Sequence, residues 1–254
     1  MFDLATSRFT PAMNQTSQNA ILSDLPVPDR IDALHEYAQD FDQYVAADWT
    51  QTLNGGSAGL IAGDGGILQI QSVVSNFATV QKTPASFPHS KGKRTFFTTQ
   101  VQVDNVLGLI IAGTLNATAT PFTPASQTDG AYFLSTNTGA LSFNVAVGGV
   151  IATVACGVSL VNATYVNLSY YYDGAVYASA PFGRIVWQVD TGATANARGE
   201  IAVPASGTIA AFPSAVNCAP IVGVSASTAA VRTFLCDKLY CAKDEININA
   251  TPPF

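Results

Sequence analysis

The stretch Leu141-Ser-Phe-Asn-Val-Ala-Val-Gly-Gly-Val-Ile-Ala-Thr-Val-Ala-Cys156 decides the fold. Its first seven residues alternate between large apolar residues and small or polar ones, which is typical of a strand with one buried face. Gly148-Gly149 then leads into a second apolar run. A two-residue glycine loop between two such runs indicates an antiparallel β-hairpin.

Further runs of β type follow one another along the chain, separated by Gly, Pro and Asp turns, whereas helical periodicity is nearly absent after Asp48. Many short strands joined by tight turns predict an all-β, two-sheet antiparallel jelly-roll sandwich. Leu107–Ile111 is apolar throughout, which predicts a strand buried on both faces. The other predicted strands include 67–71, 97–103, 165–172, 175–178, 184–189, 208–212 and 231–243.

The chain divides into three parts by composition. Residues 1–40 hold six of the seventeen acids and the break Pro26-Val-Pro28, and we interpret them as an extended N-terminal arm that docks on a partner, with an unstructured terminus as the alternative. A short helix is predicted from Asp29, with Ile31, Leu34 and Ala38 on one face. Residues 41–245 form the sandwich, and residues 246–254 form a C-terminal tail.

Composition excludes several classes of protein. The 254 residues carry a net charge of −6 with a pI near 4.6, which argues against a nucleic-acid partner. The longest apolar runs, such as Val106–Ala112, are far shorter than the roughly 20 residues that a spanning helix needs, so no membrane partner is expected. The N-terminus lacks the apolar core of a secretory signal, which predicts synthesis in a reducing compartment.

Residues suited to catalysis are scarce. The two histidines are His35, expected on the solvated side of the arm helix, and His89, expected in an exposed loop. Asp64, Asp129 and Asp173 each precede glycine and are expected to form turns. No pair of acids has the spacing that glycoside hydrolysis requires. We therefore predict no enzymatic activity and no cofactor, and a Ca²⁺ site on the Asp-Gly loops stays open.

The four cysteines are expected to be buried free thiols. They are Cys156, Cys218, Cys236 and Cys241, and their spacing does not match a metal site. In a regular strand Cys236 and Cys241 would point to opposite faces, which argues against a local disulfide.

Two sets of side chains are candidates for binding. Lys82, Lys91, Lys93 and Arg94 form a basic cluster that fits a phosphate, a sulfated glycan or an acidic protein surface, although it also fits a solvated loop. Aromatic side chains stack on sugars when exposed, but in a hairpin they also pack across strands. The tyrosines in question are Tyr132, Tyr170, Tyr171, Tyr172 and Tyr177.

Five further stretches stand out: DFDQYVAADWT at 40–50, GDGGIL at 63–68, TDGAYF at 128–133, YYYDG at 170–174 and the strand 231–242. Together they resemble a family of tailed-phage virion proteins that have a laminin G-like (concanavalin A-like) jelly roll, and the resemblance covers about residues 40–245. Members of this family are virion structural proteins, including cement proteins that decorate the capsid. The resemblance implies fold and role, and brings no catalytic residues.

We therefore predict a non-enzymatic virion protein, made in the host cytoplasm, that cements the capsid exterior by binding the major capsid protein across capsomers. A homotrimer is expected, because uncharged sheet surfaces need covering, although a dimer at two-fold positions would cover them equally well. The alternative is a lectin-like module of a fibre or head appendage that binds host glycan. The predicted partner-binding residues are Phe2, Leu4, Phe9, Ile21, Leu22, Leu25, Lys91, Lys93 and Arg94.

Overall fold

The structure, a computed structural model, describes residues 34–61, 66–89, 93–174, 183–192, 196–202, 216–226 and 230–244. These residues form β-strands and two 3₁₀ turns, Ala46–Asp48 and Pro124–Ser126, which confirms the all-β prediction. None of the described helical turns is long or apolar enough to span a membrane. The strands are β1 Leu34–Gln39, β2 Trp49–Thr52, β3 Ser57–Ile61, β4 Ile67–Ser72, β5 Phe77–Lys82, β6 Arg94–Val103, β7 Gly108–Leu115, β8 Gly130–Ser135, β9 Ala140–Val147, β10 Val150–Ser159, β11 Val166–Asp173, β12 Arg184–Asp190, β13 Ala197–Ala202, β14 Ala219–Ala226 and β15 Arg232–Asp244.

The strands build two antiparallel sheets that pack face to face as a jelly-roll sandwich. Sheet A has the order β13-β12-β11-β6-β15-β4-β3, and β1 also pairs with β15. Sheet B has the order β10-β9-β8-β7-β14-β5-β2. Strands that are neighbours in a sheet are often far apart in sequence, as Cys236 of β15 and Val101 of β6 are.

The hairpin predicted from Gly148-Gly149 is confirmed. Val147 pairs with Val150, and the two glycines have φ angles of 55° and 82°. Positive φ at both central residues is the requirement of a type I′ turn, whose twist matches that of the strands. Nearly every side chain of β7 is buried, as its apolar run predicts.

Aromatic side chains fill the space between the sheets. Phe133 and Phe143 of sheet B meet edge to face at 5.0 Å, and Phe143 lies 5.6 Å from Tyr170 of sheet A. Tyr170 in turn stacks on Phe97 at 5.5 Å. Such contacts contribute about 0.5–1.5 kcal/mol each beyond the burial of apolar area. This cluster therefore stabilises the packing of the two sheets.

The helix predicted from Asp29 is wrong for residues 34–39, which form β1 instead. β1 runs antiparallel to the second half of β15, from Leu34 opposite Asp244 to Gln39 opposite Leu239. β4 pairs only with the first half of β15, so the second half needs another partner for its backbone groups. A short helix is too weak to compete with that demand. The sheet therefore begins before residue 41, and residues 1–33 lie outside the described part.

Cys236 and Cys241 lie on the same face, contrary to the prediction. Both are fully buried between the sheets together with Phe234 and Leu239. The pairing of β15 with β6 shifts by one residue between Cys236 and Lys238, so Asp237 is an extra residue in the strand. Such a bulge reverses the alternation beyond it. All four cysteines are buried and free, as expected.

Candidate functional site

Several predicted binding segments connect to one end of sheet A, which we call the terminal end. It is defined by Leu34, Arg94, Asp173, Arg184 and Asp244. Leu34 lies opposite Asp244, and Lys243, the neighbour of Asp244, lies opposite Thr95, the neighbour of Arg94. In the strand register, Arg94 of β6 lies opposite Asp173 of β11, and Asp173 lies opposite Arg184 of β12. The segments 1–33, 90–92, 175–182, 203–215 and 245–254 are all joined to strands at this end.

Charges of both signs occupy the terminal end. The Nε atom of Arg184 lies 3.8 Å from Oδ2 of the buried Asp173, and its Nη1 atom lies 3.9 Å from Oε1 of Glu200. Lys93 and Arg94 are half-buried, and the carbonyl of Lys93 accepts the amide hydrogen of Gly174 at 2.9 Å. The described charges at the terminal end are therefore of both signs, and Arg184 is paired with Asp173 and Glu200 of the same sheet.

The predicted basic cluster is divided in the structure. Lys82 ends β5 in sheet B, where its Nζ atom lies 3.7 Å from Oδ2 of Asp48 and 5.0 Å from the centre of the Tyr37 ring. This ion pair links the end of β5 to the 3₁₀ turn that precedes β2. Lys93 and Arg94 are the described members at the terminal end. Lys91 and the predicted arm residues Phe2, Leu4, Phe9, Ile21, Leu22 and Leu25 lie outside the described residues.

The outward face of sheet B, which we call the neutral face, presents uncharged side chains in register across seven strands. One row of adjacent positions runs from Thr153 through Asn144, Tyr132, Gly113, Ile221 and Gln81 to Thr50. A second row holds Ala155, Ser142, Leu134, Ile111, Gly223, Thr79 and Thr52.

The connection between β7 and β8 contacts the neutral face. Its Phe122 lies 5.8 Å from the ring of Phe77, and its Gln127 accepts a hydrogen bond of 2.7 Å from the Tyr132 hydroxyl. Gln81 donates 2.7 Å to the carbonyl of Leu115 at the start of the connection. Tyr132 is fully buried as a result. The accessible part of the face lies toward its two edges, where Thr50 and Thr153 are exposed.

The described tyrosines proposed to stack on sugars are buried. Tyr170 and Tyr172 point into the core, and Tyr171 packs outward against Phe96 with ring centres 4.6 Å apart. Tyr132 is buried on the neutral face, and Tyr177 lies outside the described residues. The described tyrosines therefore pack across strands, which was the alternative to sugar stacking.

The described acids of the Asp-Gly pairs act within the fold. Oδ1 of Asp129 accepts the amide hydrogen of Gly148 at 3.2 Å, which ties the β9–β10 turn to the start of β8. Asp173 is buried beside Arg184. Asp64 lies outside the described part. Within the described ranges, no three His, Cys, Asp or Glu side chains are grouped as metal ligands.

The prediction of an exposed His89 is wrong, because the side chain is only 2% exposed. Its Nε2 atom lies 3.2 Å from the Tyr170 hydroxyl, which lies 2.5 Å from Oγ1 of Thr114. The ring also meets Tyr172 edge-on at 5.5 Å. Burial lowers the pKa of His89 to about 4, because the charged form would be desolvated.

Sequence reasoning missed this buried polar cluster, since its members come from three separate strands or loops. The signal available in the sequence was the neighbouring Phe87, a large apolar residue that indicates a loop turning inward. In the structure Phe87 is fully buried. His35, expected on a solvated helix, lies half-buried on β1, with Nε2 3.1 Å from Oγ of Ser86 and its ring 5.1 Å from Phe87.

The comparisons with known proteins define the fold. No protein-family model and no curated protein sequence matches the chain. A protein of unknown function from Shewanella oneidensis is 12% identical with a TM-score of 0.57, covering 92% of this chain and 96% of its own. Lectin II from Ulex europaeus is 13% identical with a TM-score of 0.55, covering 83% and 98%. An endo-1,3-β-glucanase from Streptomyces sioyaensis is 12% identical with a TM-score of 0.52, covering 87% and 100%. At these identities the likeness shows a lectin-like, concanavalin A-like jelly roll.

Proposed function

We propose that the protein is a non-enzymatic structural protein of a phage virion, which attaches to the capsid exterior through the terminal end of sheet A. The observation that carries the proposal is the register that brings Leu34, Arg94 and Asp244 to one end. The segment 1–33 of the predicted arm therefore joins the sheet at the end where the predicted basic residues Lys93 and Arg94 lie, so that one partner surface could engage both. The proposed partner is the major capsid protein.

The sequence resemblance supports the virion part of the proposal. Phe41 and Trp49, which belong to the motif at 40–50, are buried in the core. Phe133, which follows Gly130 in the motif at 128–133, is buried as well. These residues therefore serve the fold that the resemblance implies. The role itself rests on the resemblance and on the arm.

The non-enzymatic part of the proposal rests on how the described acids are used. Asp129 and Asp173 are both buried and engaged with Gly148 and Arg184, which leaves them poorly placed to act on a substrate. Glycoside hydrolysis generally needs two carboxyl groups on either side of the bond that is cleaved. Both lectins and a glucanase have this fold, so the assignment depends on these residues.

Binding to capsids stripped of this protein tests the proposal. Full-length protein should co-sediment with the capsids, whereas residues 34–254 alone should not, because the arm supplies much of the buried surface. Lys93→Gln/Arg94→Gln should weaken binding and reduce its dependence on salt. Lys238→Gln is the matched control, since it removes an exposed lysine from the same sheet.

Equal binding by full-length and truncated protein, with no effect of the double substitution, would contradict the proposed attachment. The number of copies per particle gives a second test. A cement protein should approach the copy number of capsomers, whereas an appendage occurs in far fewer copies.

A second candidate function is binding of neutral glycans, and the neutral face favours it. Hydroxyl groups such as those of Thr50, Ser142 and Thr153 suit sugar hydroxyls. A lectin with this fold has been solved in complex with galactose. A panel of neutral saccharides, tested with wild type and with Thr52→Arg on that face, examines this function. Gln69→Arg on sheet A is the control. Absence of binding to every saccharide would reject it.

A further inference from the structure

β10 is a long strand at the edge of sheet B, and its first six residues, Val150–Ala155, carry no charge, proline or bulge; the pairing with β9 becomes irregular only between Ala155 and Ser159. Its ten residues, Val-Ile-Ala-Thr-Val-Ala-Cys-Gly-Val-Ser, include no charge and no proline, and among the strands that the structure describes it pairs only with β9. Exposed edges are normally short, charged or interrupted, because unpaired backbone groups recruit another strand. The other described edge strands follow that rule: β2 has four residues, β3 has five, β1 carries Glu36, and β13 carries Arg198 and Glu200.

The hairpin geometry identifies the backbone groups that point outward. Val147 and Val150 flank a two-residue turn, so they form a hydrogen-bonded pair. Hydrogen-bonded and non-hydrogen-bonded pairs alternate along an antiparallel ladder. The N–H and C=O groups of Ile151, Thr153 and Ala155 therefore point away from β9, toward the edge.

We propose that β10 pairs antiparallel with β10 of a second copy, about a two-fold axis near Thr153. In this register Thr153 lies opposite its own copy, and Ile151 lies opposite Ala155 of the second copy. A two-fold axis places the residue on it beside its own copy, so a charged residue at position 153 would repel itself. The uncharged β10 fits a second copy, and the large Ile151 meets a small alanine.

The strand that lies beside β10 in the other sheet is charged. β13 carries Arg198 and Glu200, and Glu200 already lies 3.9 Å from Arg184 of its own chain. The uncharged strand on this side of the sandwich is therefore β10. The pairing favours the two-fold dimer over the homotrimer, both of which the sequence allows, and it does not rest on the proposed capsid role.

Charge reversal at Thr153 tests the proposal with the free protein. Its side chain is exposed, so Thr153→Lys and Thr153→Glu leave the core intact. Light scattering and sedimentation equilibrium should give wild type twice the chain mass of 26.5 kDa. Each variant alone should be monomeric, because like charges face each other across the axis. An equimolar mixture of the two should dimerise again, since lysine then faces glutamate.

Thr50→Lys is the matched control, since Thr50 is an exposed threonine on the opposite edge of the same sheet. It should leave the dimer unchanged. A monomeric wild type, a trimer, or a dimer that both Thr153 variants leave intact would overturn the proposal. Circular dichroism of the variants establishes that loss of the dimer is not loss of the fold.

Discussion

His89 makes the stability of the folded protein depend on pH in a range where few other groups titrate. The ring is buried beside Tyr170 and Thr114, and its pKa falls from 6.5 to about 4 on folding. An unfolded chain binds a proton at this histidine below about pH 6.5, whereas the folded chain does not until about pH 4. Protonation therefore favours the unfolded state between these values.

The magnitude follows from that pKa difference. Each pKa unit corresponds to about 1.4 kcal/mol, so the free energy of unfolding should fall by about 3 kcal/mol between about pH 6.5 and pH 4. About 2 kcal/mol of that loss should have occurred at about pH 5, before most carboxyl groups titrate. Above about pH 7 this histidine should cause no pH dependence, and below about pH 4 its effect should be complete.

Urea unfolding at a series of pH values measures this effect. Wild type should show the slope, whereas His89→Gln should be less stable at neutral pH but nearly independent of pH between about pH 7 and pH 5. Glutamine retains a polar group for the Tyr170 hydroxyl while removing the titration. His35→Gln is the matched control, because it removes the other of the two histidines in the chain while His89 and its slope remain. A slope that persists in His89→Gln would refute this explanation.

Three further predictions concern the fold. Residues 42–254 should be less stable than residues 34–254 by at least about 3 kcal/mol, because β1 and the fully buried Phe41 are removed; chemical denaturation compares the two. Gly113→Ala should cost about 1–3 kcal/mol, because its Cβ would lie 2.4 Å from the Ala131 carbonyl oxygen, whereas Gly59→Ala, which meets nothing within 4 Å, should be nearly neutral in the same thermal scan. The four cysteines should react with a thiol reagent only after unfolding, since all are buried, and a rapid reaction of the native protein would contradict the sandwich core.

The sequence alone determined the class of fold and its local hairpins. The alternation from Leu141 to Val147 and the Gly148-Gly149 turn are local features, so they specify a hairpin wherever the strands lie. Likewise, the apolar run of β7 specifies burial on both faces whatever covers it. Turn-forming residues and the alternation of side chains act within a few residues, so they can be recognised from the sequence alone.

The tertiary structure decided the features on which the candidate sites depend. β1 became a strand because half of β15, two hundred residues later in the chain, lacked a pairing partner. The bulge at Asp237 brought Cys236 and Cys241 to one face, and the inward turn after Phe87 buried His89 against Tyr170. Lys82 lies apart from the basic cluster because it ends β5 and pairs with Asp48 of the 3₁₀ turn before β2. Each outcome depends on satisfying backbone or charged groups with partners distant in sequence, which a local pattern does not specify.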